Sequence, residues 1–255
     1  MEHTRRNLLV NATGIVSGLA IGSYATLGEK DIGEPPDRKI KVIVCGGHPG
    51  DPEYGCGGTV AQLTKFGHEV VLLYLNDGGW PPTSSTERMA EAKKACEILK
   101  ARAAYAGHAN GHAIVDNAHY DDFKRLVAEE KPDAVITQWP IDNHADHRAI
   151  AMLAYNAWQK MGKKYALYYY EVSDGEDTLQ FSPNRYVDIS AMEQTKRAAC
   201  YAHASQTPDR YYELQDNVAR FRGIESGYKR AEAFLAQMQS PYDVFPLKEK
   251  YVLRS

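Results

Sequence analysis

The sequence has few of the features that mark several large classes of protein. Four of its 255 residues are cysteines, and they are widely spaced without a C-x-x-C pair. This excludes a disulfide framework and a cysteine-type zinc site, although one disulfide is compatible with the count. The formal net charge is -3, so the chain lacks the basic excess of nucleic-acid-binding proteins. No nucleic-acid partner is therefore expected.

The chain also lacks both common phosphate-binding glycine motifs. The glycine-rich stretch 55–58 has neither the lysine of G-x-x-x-x-G-K-[ST] nor the spacing of G-x-G-x-x-G. A nucleotide-dependent enzyme is disfavoured for this reason, and we interpret 55–58 as a turn that packs closely against the preceding loop. No internal repeat is present, and 44% hydrophobic with 25% charged residues is an ordinary globular composition.

The N-terminal 25 residues differ from the rest of the chain. Arg5-Arg6 precedes a weakly apolar stretch that polar residues and glycines interrupt, so no stable membrane span is expected. The paired arginines predict a twin-arginine-type signal peptide over 1–25, cleaved after Ala25, and a protein exported to the periplasm or exterior of a bacterium. A disordered or uncleaved N-terminus is the alternative. Residues 26–39 contain Pro35-Pro36 and predict a linker, which leaves 40–255 as one domain.

Apolar runs alternate with helical patterns along this domain. Predicted strands cover 40–45, 69–75, 133–137 and 165–170, and predicted helices cover 59–66, 87–101, 121–130 and 145–159. After residue 189 we expect mainly helix as far as residue 238. Strands that alternate with helices indicate βαβ units, and hence a mainly parallel sheet covered by helices on both faces.

Two groups of metal-binding side chains follow predicted strands. His48 and Asp51 lie three residues apart after the first strand, and His147 lies in the segment 143–148 after the strand 133–137. The carboxyl ends of parallel strands form the ligand-binding edge of such a sheet. Three protein ligands with an open fourth position are typical of catalytic zinc. The pattern predicts one Zn²⁺ per chain, although nitrogen and oxygen ligands accept other divalent ions. Histidines that cap two unrelated turns are the alternative.

The segments HPGDPEYGCGGT and NHADHRA resemble motifs of the PIG-L/LmbE-like deacetylase family, whose first motif usually reads H-P-D-D-E. The similarity continues through ERMAEAKKACEILK, VDISAMEQTKRAACYAHASQ and GYKRAEAFLA, over about residues 40–237. This resemblance implies a Rossmann-like three-layer α/β fold and zinc-dependent removal of an N-acyl, typically acetyl, group from an amino sugar. It implies His48, Asp51 and His147 as metal ligands. It also implies His144 as the group that assists the tetrahedral intermediate or leaving amine, oriented by Asp146.

Gly50 departs from the family pattern, because resembling enzymes have their general-base aspartate at this position. The loss of a general base commonly costs about 10²–10⁴-fold in rate. Glu53 or Asp146 could replace it, or metal-activated water could attack without a base while His144 protonates the leaving nitrogen. The third interpretation is a carbohydrate- or metal-binding relic without catalysis. We favour a working enzyme, because both metal-binding segments and His144 are intact.

Several other residues allow both functional and structural interpretations. The resemblance places Arg88 near the substrate, where it would bind a sugar hydroxyl, and an ion pair with Glu91 is the structural alternative. His203 is expected at a helix end or as an orienting partner of a metal ligand. The tyrosines 168–170 would line a carbohydrate cleft or be buried in a strand. The expected partner is a small molecule or glycan with an N-acyl amino sugar, and both monomeric and homo-oligomeric forms remain open.

Overall fold

The computed structural model describes residues 38–172 and 180–245, so the predicted signal peptide and nearly all of the predicted linker lie outside the described residues. The described ranges form one α/β domain. Its strands are β1 (Lys41–Gly46), β2 (Glu69–Asn76), β3 (Arg102–His108), β4 (Ala134–Gln138), β5 (Ala166–Tyr170), β6 (Arg185–Asp188) and β7 (Ala231–Ala236). Its helices are α1 (Asp51–Lys65), α2 (Ser85–Leu99), α3 (Asn117–Glu130), α4 (Ala145–Lys160), α5 (Glu193–Tyr201) and α6 (Pro208–Ser226), with a short 3₁₀ helix at Ala204–Gln206.

The sheet has the strand order β3-β2-β1-β4-β5-β7-β6. Its first five strands are parallel, and β7 pairs antiparallel with both β5 and β6. Apolar side chains of α1, α2, α5 and α6 pack on one face, and those of α3 and α4 pack on the other. The predicted three-layer fold with a mainly parallel sheet is therefore confirmed. The strand order reverses between β1 and β4, which is where such sheets leave a ligand-binding crevice.

Helix α1 begins eight residues earlier than the predicted helix and includes the glycines of 55–58. The interpretation of 55–58 as a turn is therefore wrong. A Cβ atom at Gly55 would overlap the ring of Tyr170, and one at Gly58 would lie 2.6 Å from Ile189. These glycines allow α1 to approach its neighbours closely, and this tertiary packing outweighs their poor helix propensity. The early start also places Asp51 in the first turn of α1.

The prediction of mainly helix as far as residue 238 holds to Ser226 and is wrong beyond it. Helix α6 ends at Ser226, and AEAFLA forms strand β7 between β5 and β6. Nearly every residue of β7 is buried, so the strand shows no alternation that the sequence could reveal. The sequence also did not indicate β3, which is an edge strand with mostly half-buried side chains. Within the described ranges, no helix has the length and apolar character that crossing a membrane requires.

Candidate active site

The loop between β1 and α1 brings the two predicted metal-binding segments together. Gly47 is the contact point, because a Cβ atom there would lie 2.8 Å from the ring of His147. Gln138, at the end of β4, accepts a hydrogen bond from the Gly47 N–H at 2.7 Å and donates one to Asp51 Oδ2 at 3.2 Å. The amide of Gln138 therefore fixes the β1 loop against β4, a role that the sequence did not predict.

Asp51 lies between the two histidines that were predicted with it as metal ligands. Its Oδ2 atom is 3.2 Å from Nδ1 of His48 and 3.1 Å from Nε2 of His147. Ligand atoms at the distances that zinc requires in a tetrahedral site lie about 3.3 Å apart. The predicted donor set therefore has the chemistry to hold one zinc ion, and its two pairs that include Asp51 have the spacing.

His144 lies beside this set. The ligand nitrogens of His48, His144 and His147 all lie within 4.8 Å of one another. The rings of His48 and His144 meet edge to face, with centroids 4.7 Å apart. An all-histidine set is thus a geometric alternative to the set that contains Asp51.

Charges on Asp51 and its neighbours dominate the proton affinities of the two flanking histidines. Burial lowers the pKa of His48, but Asp51 and Asp146 outweigh this effect and raise the pKa to about 9. Burial also lowers the pKa of His147, but Asp51 and Asp142 outweigh this effect and raise the pKa to about 10. Burial raises the pKa of Asp51, but His147 and His48 outweigh this effect and hold the pKa well below its usual range. In the metal-free protein, protons therefore occupy the positions that a cation would take.

Asp146 makes a contact that differs from the expected one. Its Oδ2 lies 3.1 Å from Nε2 of His48 and accepts hydrogen bonds from Asn76 Nδ2 and the Gly111 N–H. Burial raises the pKa of Asp146, but the interaction with His48 and the Gly111 hydrogen bond lower it to about 2. Its backbone N–H, rather than its carboxylate, donates to Nδ1 of His144 at 3.2 Å. The carboxylate of Asp146 therefore orients His48, whereas the contact that Asp146 makes with His144 comes from its backbone.

Asp142 provides a corresponding partner for His147. Oδ1 of Asp142 lies 3.0 Å from Nδ1 of His147 and accepts the backbone N–H of His144 at 2.8 Å. Asp142 is buried, with 1% of its surface exposed. Nδ1 of His147 makes no hydrogen bond among the described residues, so this contact is one of charge, and the Asp142 carboxylate helps to raise the pKa of the ring. The sequence analysis missed Asp142, although its position just before the NHADHRA segment was a signal that could have identified it.

Glu53 is fully buried beneath the metal-binding loop. Its carboxylate accepts hydrogen bonds from Tyr74 Oη at 2.7 Å and from the Gly50 N–H at 3.1 Å, and it lies 3.0 Å from Nε2 of His203. His203 is buried as well, at the inner end of the cavity described below. Glu53 is absent from the lining of that cavity, and its visible role is to hold Gly50 and His203 in place.

Arg88 forms the ion pair with Glu91 that was its structural interpretation, and it also lies at the cavity where its functional interpretation placed it. Its guanidinium donates to Glu91 Oε2 at 2.8 Å and to the carbonyl oxygen of Pro49. The side chain is 3% exposed, so this ion pair is buried rather than on the surface. Arg88 also lines the cavity, although its Nε atom, which has no hydrogen-bond partner among the described residues, is itself buried.

A cavity of about 660 Å³ opens above these side chains. Its inner wall includes His48, Asp51, His144 and His147, and its outer wall carries aromatic and neutral polar residues. The tyrosines 168–170 are not part of this wall, because they are at most 7% exposed in the sheet. Of the two interpretations that were open for these tyrosines, the structure therefore supports burial in β5 and not a carbohydrate cleft.

Comparison with known proteins gives a consistent result. The model of the family described as PIG-L, GlcNAc-PI de-N-acetylase, matches residues 43–158. The chain is 29% identical over 229 residues to diacetylchitobiose deacetylase of Thermococcus kodakarensis, covering 79% of this chain and 84% of that protein.

Two solved structures share the fold over most of the chain. A conserved protein from Thermus thermophilus is 26% identical, with a TM-score of 0.70, over 82% of this chain and 99% of that one. The N,N'-diacetylchitobiose deacetylase of Pyrococcus horikoshii, solved with an inhibitor, is 22% identical, with a TM-score of 0.69, over 82% and 88%. The second likeness concerns the fold alone.

Proposed function

We propose that the chain is a metal-dependent hydrolase of the PIG-L type that removes an N-acyl group, most simply acetyl, from an amino sugar, because the model of that family matches residues 43–158. The observation that carries this proposal is the position of Asp51 Oδ2, 3.2 Å from His48 and 3.1 Å from His147, at the base of a substrate-sized cavity. The diacetylchitobiose deacetylase of Thermococcus kodakarensis, to which the chain is 29% identical, supports the amino-sugar class.

His48, Asp51 and His147 would hold the metal, most simply Zn²⁺. When bound, the ion would supply Lewis acidity to the amide carbonyl and to the attacking water. The surrounding side chains position these ligands: Asp146 acts on His48, and Asp142 acts on His147. This arrangement leaves the cavity side of the site open to a substrate.

His144 would deliver the proton that amide hydrolysis requires. Since Nδ1 of His144 accepts the Asp146 N–H, the proton of its neutral ring lies on Nε2. Burial, together with His147 and His48, lowers the pKa of His144, which favours the neutral ring. The Nε2–H of the neutral ring would stabilise negative charge on the carbonyl oxygen of the tetrahedral intermediate. A further proton, taken up from solvent as the imidazolium forms, would be the one passed to the departing nitrogen, and the ring would return to its neutral form. The C–N bond breaks, the attacking water loses one proton to solvent and supplies the new oxygen, and an acid and an amine leave.

The contacts around Gly50 favour water attack without a side-chain base. Glu53 and Asp146 were the predicted substitutes, but neither lines the cavity. The carboxylate of Glu53 accepts from Tyr74 and Gly50, and Oδ2 of Asp146 accepts from Asn76 and Gly111. We propose that both carboxylates position the site rather than take the water proton.

Metal analysis combined with an activity screen tests this function. The purified mature protein, a His147→Ala variant and a His119→Ala control are prepared identically and assayed for zinc and for acetate release from N-acetyl sugars. His119 on α3 is a matched control because it also pairs with an aspartate, Asp116, but does not line the cavity. We expect about one zinc per chain and hydrolysis in the native protein and the control, with both lost in His147→Ala. A native protein that takes up no metal after zinc reconstitution would favour the binding relic instead.

We also propose that the protein is exported, because Arg5-Arg6 precedes a weakly apolar segment. Cell fractionation of a bacterium that expresses the full chain tests this proposal. The native chain is expected in the exported fraction, and a variant with both Arg5→Lys and Arg6→Lys is expected to remain inside. Equal retention of both chains would contradict export by this route.

A further inference from the structure

Trp80 presents a large aromatic surface at the mouth of the cavity. Its side chain is 63% exposed, which is high for a tryptophan, and it forms part of the cavity wall. Its backbone is fixed, because the Trp80 N–H donates to the carbonyl of Thr83 at 3.0 Å and the Thr83 N–H returns a bond of 2.8 Å. Asn110 adds a hydrogen bond of 3.1 Å to the carbonyl of neighbouring Gly79. The backbone of Trp80 is therefore held in place, and its ring is left uncovered.

The ring of Trp80 is close to the proposed reaction centre. A Cβ atom at Gly111 would lie 3.7 Å from the Trp80 ring, and the Gly111 N–H donates to Asp146 Oδ2 at 2.8 Å. That same oxygen contacts His48. One residue thus separates the exposed ring from the carboxylate that orients a predicted metal ligand. A molecule whose amide reached His48 and Asp51 would have its next portion beside Trp80.

The chemistry of the outer wall indicates a neutral, hydroxyl-rich ligand. Tyr211, which is 38% exposed, lines the same cavity as Trp80. The polar side chains nearby are amides and hydroxyls, namely Asn110, Thr83, Ser205, Gln206 and Gln215. Among the described residues that line the cavity, only Asp51 and Arg88 are carboxylate or guanidinium groups, and both belong to its inner part. Aromatic surfaces with uncharged hydrogen-bonding groups suit a pyranose, which has an apolar face and polar edges.

We propose that Trp80 and Tyr211 form a stacking subsite for a second pyranose ring, next to the sugar that carries the scissile amide. This inference rests on the proposed function and extends it, because it assigns the enzyme an oligosaccharide rather than a single amino sugar as its preferred substrate. The subsite contributes affinity through ring contact and holds no group that reacts.

Calorimetric titration of the zinc-loaded protein with N-acetylglucosamine and with its β-1,4-linked trimer tests the subsite. The native protein is expected to bind the trimer about tenfold more tightly than the monomer, since ring stacking removes apolar area from water. Trp80→Ala should abolish this preference and leave monomer binding within about twofold, whereas Trp80→Tyr should keep much of the preference. Tyr228→Ala is the matched control, because Tyr228 is 46% exposed and does not line the cavity.

The outcomes separate this inference from the proposed function. Equal affinity of the native protein for monomer and trimer would overturn the subsite, as would an equal loss for both ligands in Trp80→Ala. Acetate release measured on the same samples reports on the hydrolase. Trimer binding that depends on Trp80, without acetate release, would sustain the subsite and remove the proposed reaction. Acetate release with no preference for the trimer would sustain the proposed reaction and overturn the subsite.

Discussion

Nε2 of His48 lies 3.1 Å from Oδ2 of Asp146, while Nδ1 of the same ring faces Asp51. One imidazole therefore joins the two segments that carry the proposed metal ligands, with one nitrogen directed to Asp51 in the proposed metal site and the other to the supporting carboxylate of Asp146. The supporting oxygen also accepts hydrogen bonds from Asn76 and Gly111. Rotation of the His48 ring would break the contact with Asp146, so this pair fixes the direction in which His48 presents Nδ1.

Replacement of Asp146 is predicted to weaken metal binding without removing a ligand. In Asp146→Asn, loss of the carboxylate that orients His48 should reduce zinc affinity about 10–100-fold. Competition with a chelator measures this affinity. Asp122→Asn on α3 is the control, because Asp122 is an exposed residue paired with Arg125. Unchanged affinity in Asp146→Asn would show that the His48 contact does not support the metal site.

Two further variants distinguish the possible ligand sets. If His48, Asp51 and His147 hold the metal, Asp51→Ala should lose zinc, whereas His144→Ala should retain zinc and lose most of its turnover. A general acid commonly contributes about 10²–10⁴-fold in rate. Zinc content and acetate release, measured on the same samples, give both readouts. Loss of zinc in His144→Ala with retention in Asp51→Ala would instead support the all-histidine set.

The Gly50→Asp variant tests whether the native site lacks an essential base. A Cβ atom at Gly50 would have open contacts, 3.7 Å from Tyr54 and 3.8 Å from His203, but the residue has a φ of +113°. We therefore expect lower thermal stability in both Gly50→Asp and Gly50→Ala, because side chains disfavour this backbone region. Hydrolysis should not rise in Gly50→Asp if the native site works without a base. A gain of about 100-fold over both native protein and Gly50→Ala would identify the native site as impaired.

The stability of the metal-free protein is predicted to fall as pH rises above neutrality. The carboxylates around His48 and His147 outweigh burial and raise their pKa values to about 9 and about 10. A histidine whose pKa is raised by folding stabilises the folded state fully at pH values below its unfolded pKa of about 6.5. This stabilisation is lost as the pH rises through the folded pKa. The pKa of Asp51 lies far below this pH range, so Asp51 does not contribute to the change of stability with pH. Denaturant unfolding with chelator at pH 7, 8.5 and 10 measures the trend, and zinc affinity should increase over the same window. Stability independent of pH would contradict the charge assignment.

A buried ion pair behind α1 is predicted to be essential for folding. Lys196 Nζ lies 2.7 Å from Glu232 Oε1, and the Glu232 carboxylate accepts the N–H groups of Gly58 and Thr59. Glu232→Gln should lower the free energy of unfolding by about 3–5 kcal/mol, because it leaves the Lys196 charge buried and unpaired. Denaturant unfolding measures the change. A Lys196→Met and Glu232→Gln double variant should recover part of the loss, and a double variant no better than Glu232→Gln would contradict this explanation.

Local patterns in the sequence determined most of the parallel sheet and singled out the candidate metal ligands. β1, β2, β4 and β5 are short apolar runs that need little more than burial to be recognised. His48, Asp51 and His147 could be proposed as ligands because each side chain follows the carboxyl end of a strand. These features depend on residues that are near one another in the chain.

The tertiary structure decided what depends on distant contacts. It made β7 a strand despite the helix-forming residues of AEAFLA, and it extended α1 through its glycines because Tyr170 and Ile189 leave no room for a Cβ atom. It directed the carboxylate of Asp146 to His48 rather than to His144, and it placed Trp80 rather than the tyrosines of β5 at the cavity mouth. Side-chain identity is local, but the partner of a side chain and its exposure depend on elements that meet only when the chain folds.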